Sequence, residues 1–198
     1  MADLTPVVSA VVLALQTPSY AASAPEDRQA VEEGIGAAVS QATCNDAGPE
    51  CVPFWPASRA GELVSLLVVL ARFESGLNPR IGFGHCRPDE CDAVKLPGGR
   101  VQHLAYGFWQ IHRTGLARPD EWKAMRGRDA SAVEAQARIA IRTLAGSVNQ
   151  CRNSGAPRLR AAISGFATGG RCWWTGAIAR EKVVWRMLPV ANGELGKL

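Results

Sequence analysis

From Leu63 to Ala71 the chain reads Leu-Val-Ser-Leu-Leu-Val-Val-Leu-Ala, which is apolar on nearly every side of a helix. Such a helix has no face to give to water, so it must be the buried centre of whatever surrounds it. Ser58 reads as its N-cap, with the helix starting near Arg59 and running to about Glu74. Gly76 suits a left-handed C-cap, and Pro79 forbids continuation. The remaining sequence offers helices to wrap it. Residues 4–16 and 25–42 have helical character and are interrupted by Pro18 and Pro25. Ser131-Ala132-Val133-Glu134 matches a capping box that opens a helix ending near Gly146. Pro157 fits an early helical position before Leu159, Ala162, Ile163 and Phe166, which share a face. Thr175 opens a last helix, expected to stop before Pro189. Period-two alternation is scarce, so at most a small sheet is expected, in the Pro- and Gly-rich excursion 79–105. The expectation is a mainly α fold, with one domain over residues 58–198 and a helical extension over residues 1–57. The Cys-, Pro- and Gly-rich stretch 44–57 links them.

Charge divides the chain at the same place. Of 198 residues, the first 57 hold seven acidic side chains and only Arg28 as a base, for a net −6, whereas the rest carries +10. An acidic segment before a basic one predicts two surfaces with different partners, the basic one suited to an anionic polymer. No phosphate-binding loop or nucleic-acid motif accompanies the basic part. No run of about 18 apolar residues exists, so no transmembrane segment is expected. Residues 7–15 and Ala22-Ser23-Ala24 look like a leader core and its cleavage site, but Asp3 precedes them and the first basic residue is Arg28. A retained apolar helix that docks on something is the preferred reading.

The six cysteines fall into local pairs: Cys44 with Cys51, Cys86 with Cys91, Cys151 with Cys172. Proximity favours that pairing among 15 possible ones, and disulfides imply an oxidising destination. There is no Cys-x2-Cys, and His85, His103 and His112 lack ligand spacing, so no metal and no cofactor is expected. A cysteine nucleophile at Cys51 or Cys86 has no supporting motif, and pairing would silence it.

Glu74 is the most informative residue. It continues the apolar face of Leu67, Leu70 and Ala71, and it sits where the helix dipole is negative. Burial and dipole both disfavour the carboxylate and raise the pKa, as a general acid near neutral pH requires. Glu74-Ser75-Gly76-Leu77-Asn78-Pro79 resembles the catalytic-glutamate motif of the lysozyme-like lytic transglycosylases. Gly107-Phe108-Trp109-Gln110-Ile111 resembles that family's second motif, Gly-Leu-Met-Gln-Ile, and Gly165-Phe166-Ala167-Thr168-Gly169 echoes its third, Ala-Tyr-Asn-Ala-Gly. The three motifs stand in the family's order.

That resemblance implies a lysozyme-like helical domain that cleaves the glycan strand of peptidoglycan. Glu74 would protonate the glycosidic oxygen, then act as base on the substrate's own C6 hydroxyl, leaving a 1,6-anhydro sugar. Ser75 would orient Glu74 or bond the sugar. Gln110 would line the cleft, with Gly107, Phe108 and Trp109 shaping its wall and Phe166 standing at the third motif. Trp173, beside Trp174, is suited to stacking on a sugar ring, while Trp122 and Trp185 are expected in the core. Acidic extension, disulfides and activity together fit a phage virion protein. Residues 1–57 would then dock on other virion proteins, and the enzyme would act in the periplasm or wall; secretion is the alternative.

Two departures from the family pattern keep other readings open. Phe166 and Ala167 stand where the third motif has tyrosine and asparagine, so either Tyr106 or another polar group replaces the lost hydroxyl, or the protein is a non-catalytic structural or glycan-binding relative. The longer stretch between Glu74 and Gln110 contains Asp89, Glu90 and Asp92. One of them as a second carboxylate would make the enzyme a hydrolase, since a conventional glycosidase places two across the bond.

Overall fold

A computed structural model describes residues 2–43, 55–87, 89–112 and 116–196. The fold is mainly α, as expected, with two minimal hairpins among the described residues. The helices are α1 (Thr5–Ala14), α2 (Pro18–Ala21), α3 (Pro25–Ala42), α4 (Ala60–Ser75), α5 (Pro79–Gly82), α6 (Pro119–Ala124), α7 (Ala130–Gln150), α8 (Arg158–Thr168) and α9 (Thr175–Leu195). Strands β1 (Ala93–Lys95) and β2 (Val101–His103) pair antiparallel, as do β3 (Ala105–Tyr106) and β4 (Ile111–His112).

The apolar run does what its composition demands. Every residue of α4 from Ala60 to Ala71 is buried, enclosed by α9, α1, α3 and α7. Burying one such Leu or Val side chain is worth about 1.5–3 kcal/mol, so this helix organises the core. A single cluster of buried side chains runs from Val7, Val11 and Ile35 through Leu63 and Leu67 to Ile139, Ile163 and Val184. Residues 2–43 therefore share one core with the rest of the described chain. The apolar face of α1 is covered by α9, and α3 lies along α7. Polar contacts pin the same seam. Arg128 pairs bidentately with the buried Asp27 carboxylate at 2.7 and 2.9 Å, and Gln41 donates to Glu134 at 2.7 Å. At the crossing, Gly34 leaves room for the α7 backbone, because a Cβ there would lie 2.6 Å from the Ala130 carbonyl oxygen.

Several local expectations shift. The cap of α7 is Asp129, whose carboxylate accepts from the Ala132 N–H at 2.9 Å, and Ser131 donates to that carboxylate instead of capping. The helix then continues past Gly146 to Gln150, because Leu144, Ser147 and Val148 keep its buried face going. A 3-10 turn, Ala57–Arg59, precedes α4, and Ser58 makes no cap bond. Helix α9 passes through Pro189, which is exposed. The ring removes one N–H, and burial of Val184, Met187 and Ala191 on the opposite side outweighs that loss. Trp122 packs against the core and meets Tyr106 edge-on at 6.0 Å, but Trp185 is 48% exposed. Its position on α9 falls outside the buried 177–184–187–191 stripe.

Disulfides join Cys86 to Cys91 and Cys151 to Cys172, as proximity predicts. Cys44 and Cys51 lie outside the described residues. Among the described residues, no helix is long and apolar enough to cross a membrane.

Candidate functional site

Glu74 occupies the last turn of α4. Gly76 ends the helix with φ +66°, Leu77 follows at φ +52°, and its N–H reaches back to the Ala71 carbonyl at 3.3 Å. Asn78 then caps α5, accepting from the Arg80 N–H at 3.0 Å, with Pro79 in the first helical position. Two left-handed residues in series turn the chain sharply, so Glu74 lies at the rim of the core, with its side chain 23% exposed. Burial pushes its carboxyl above the ordinary value. The Arg180 guanidinium opposes that rise through charge and a hydrogen bond, and His112 opposes it through charge.

The second motif forms the turn between β3 and β4. Gly107 has φ +85°, and any Cβ there would strike Gln136 Oε1 at 2.4 Å. Buried Gln136 accepts from the Phe108 N–H at 2.9 Å and donates to the carbonyls of Met125 and Gly82 at 3.0 and 3.2 Å. Gln110 also lies in the left-handed region, at φ +45°, and its Nε2 donates to the Gly107 carbonyl at 2.9 Å. A side chain in that conformation stores strain that the surroundings must hold in place. Phe108 and Trp109 are fully buried, and Trp109 Nε1 donates to the Leu67 carbonyl of α4 at 3.0 Å. The turn is thus plugged into the helix that carries Glu74, and it delivers His112 to the same region.

This geometry corrects some expected roles. Ser75 is buried and its hydroxyl donates to the Ala71 carbonyl at 2.9 Å, so it serves the helix and not Glu74 or a sugar. Phe108 and Trp109 are core residues that hold the turn and offer no wall surface. Gly107 acts through its backbone, and Gln110, half-buried, remains at the surface. Phe166 is half-buried against the core at the end of α8. Trp173 is 53% exposed, and its Nε1 donates to the Ser154 carbonyl at 3.2 Å. The Tyr106 hydroxyl, a candidate replacement for the missing tyrosine, is committed to the Phe83 carbonyl at 2.8 Å.

The partner that faces Glu74 is Arg180 of α9, with Nη2 to Oε1 at 3.2 Å. Its guanidinium carbon lies 4.6 Å from the ring centres of both Phe73 and Trp174. The sequence did hold a signal for it, because Arg180 falls on the stripe of Ala177, Val184 and Met187, an arginine on a buried face.

The acidic residues of the excursion have different surroundings. Glu90 is tied to Arg87 and Arg80, which hold its carboxyl below the ordinary value, and Asp89 is 75% exposed beside Arg87. Asp92 lies 3.8 Å from His112. Among the described residues, Cys86, Cys91 and His103 are spaced as metal ligands. His103 Nδ1 stands 3.4 Å from the Cys91 sulfur, but the two sulfurs are bonded to each other and have no thiolate to give. A separate cavity of about 270 Å³ lies between α2–α3 and α5, lined by residues including Ser19, Asp27, Arg80, His85 and Arg128. Glu74 does not line it.

Compared with known proteins, the chain matches no family model, and neither a curated protein nor a solved structure shows a significant match.

Proposed function

We propose that the site around Glu74 cleaves the glycan strand of peptidoglycan, as a lytic transglycosylase with one catalytic carboxyl. The observation that carries this reading is a partly exposed glutamate, held above its ordinary pKa by burial, at the end of the central helix. Burial favours the protonated form that a general acid needs, and the exposed part of the side chain can still reach a substrate. Glu74 gives its proton to the glycosidic oxygen as the bond to the anomeric carbon breaks. The resulting carboxylate then takes the proton of the substrate's C6 hydroxyl, whose oxygen bonds to the anomeric carbon. No water is consumed, and Glu74 ends protonated as it began. Gln110 and exposed Trp173 are the proposed sugar contacts. The disulfides Cys86–Cys91 and Cys151–Cys172 suit action in the periplasm or wall. Delivery by a phage particle, with the acidic segment 1–57 meeting other virion proteins, is the proposed route. Because α1 and α3 bury their apolar faces inside the molecule, that meeting would use their outer surfaces.

A second reading, hydrolysis, is favoured by the pairing of Asp92 with His112 on the strand side of the site. Mass spectrometry of soluble muropeptides, after incubation with insoluble peptidoglycan, separates the two. Anhydro-ended fragments from the wild type, absent with Glu74→Gln, support the transglycosylase. Reducing ends point to a hydrolase using Asp92. Absence of fragments from walls of several species, or full activity of Glu74→Gln, overturns the enzymatic reading in favour of a structural or glycan-binding role.

A further inference from the structure

Glu74 does not meet a neutral hydroxyl but the half-buried guanidinium of Arg180. The guanidinium carbon of Arg180 lies over the rings of both Phe73 and Trp174, 4.6 Å from each centre, and its Nη2 is bonded to Glu74 at 3.2 Å. Phe73 precedes Glu74 on the same helix turn, and both side chains contact Arg180. The Trp174 ring is folded over the start of α9, where Gly176 leaves it space; a Cβ there would lie 2.3 Å from the ring. Arg180 is only 15% exposed, and among the described residues its Nε–H is buried without a partner. Stacked guanidinium planes lose little further freedom when they bond a carboxylate.

We propose that Arg180 is a positioning residue, clamped by Phe73 and Trp174, that aims the Glu74 carboxyl and governs its charge. The proposal rests on the reading of Glu74 as acid and then base. A group that must release a proton and regain it within one turnover needs both states within reach. Burial pulls Glu74 towards the neutral acid, and the neighbouring cation opposes that pull without cancelling it. The charged groups acting on Glu74 are Arg180 from α9 and His112 from β4, with Asp92 behind His112. Removing Arg180 therefore raises the Glu74 midpoint. The acid step then extends to higher pH, while the base step weakens.

The test is a carbon-13 NMR titration of glutamate carboxyls in the full chain, with Glu74 assigned by the signal lost in Glu74→Gln. In Arg180→Met the Glu74 midpoint is expected to rise by about one unit, at the low end for loss of an opposite charge within hydrogen-bonding range. Arg180→Lys, which keeps the charge, moves it by less than half as much. Trp174→Leu, which removes one wall of the clamp, moves it in the same direction by a smaller amount. An unchanged midpoint in folded Arg180→Met, or an equal shift in Arg180→Lys, overturns the proposal. If Arg180→Met does not fold, an unchanged midpoint in Trp174→Leu overturns it. These midpoints are read without substrate. The expected shifts in the variants, together with no glycan fragments from the wild type, sink the enzymatic reading alone.

Discussion

Ser19 donates its hydroxyl to the carbonyl of Gly76 at 2.8 Å, so the turn that ends the helix of Glu74 is held by a residue 57 positions earlier. Gly76 is the left-handed cap of α4, and its carbonyl is one of the orphans that a helix end must satisfy. The N-terminal segment supplies that partner. It is therefore part of the scaffold of the site as well as of the core.

Gly34→Ala tests that integration. In an isolated helix, alanine would stabilise by about 1 kcal/mol over glycine. Here the added Cβ meets the Ala130 oxygen and Val133 Cβ at 2.6 Å and the Glu134 nitrogen at 2.9 Å. Overpacking of this kind costs about 1–3 kcal/mol. A single unfolding transition at lower temperature is expected by calorimetry. A second transition, or an unchanged one, would mean that residues 1–43 do not unfold with the rest.

Stability should also report the state of Glu74. Its folded pKa is raised, so the folded form binds the proton more tightly than the unfolded form. The contribution is complete below the unfolded value and is lost as pH rises through the folded one. Glu74→Gln mimics the neutral acid and escapes that loss. Its melting temperature should exceed the wild type's at about pH 8, and the gap should close towards about pH 4. A Glu74→Gln protein that is less stable at high pH than at low pH, relative to wild type, would contradict the assigned direction.

The bond between Cys151 and Cys172 closes a loop of sequence separation 21, from the end of α7 to the residue before Trp173 and Trp174. Replacing both cysteines by serine should cost about 3 kcal/mol in denaturant unfolding, with a steeper slope because the freed denatured chain exposes more surface. Because the loop leads into Trp174, the same variant should loosen the clamp on Arg180. A stability loss below about 0.5 kcal/mol would show that α8 and its neighbours already order this loop.

Local physics made much of this legible. The unbroken apolar run required α4 to be buried, and the same pattern placed Glu74 on a buried face beside a glycine that tolerates positive φ. Cysteines five and 21 residues apart found each other. Periodicity also predicted α1, α3 and α8, because side-chain direction along a helix depends only on spacing. Spacing misjudged Pro189, whose local cost is outweighed by a long-range face, and Trp185, whose bulk suggested burial that its helical angle denies.

What the tertiary structure alone decided is which groups meet. Arg180 reaches Glu74 across 106 residues, and Ser19 reaches Gly76 across 57. Sequence marked Ser75, Phe108 and Trp109 by motif, yet Ser75 serves its own helix and the two aromatic residues serve the core. An arginine on the buried stripe of α9 announced that some partner was needed. Only the crossing of α9 over α4 could name it, because the angle and offset of two helices come from their packed surfaces and not from either sequence alone.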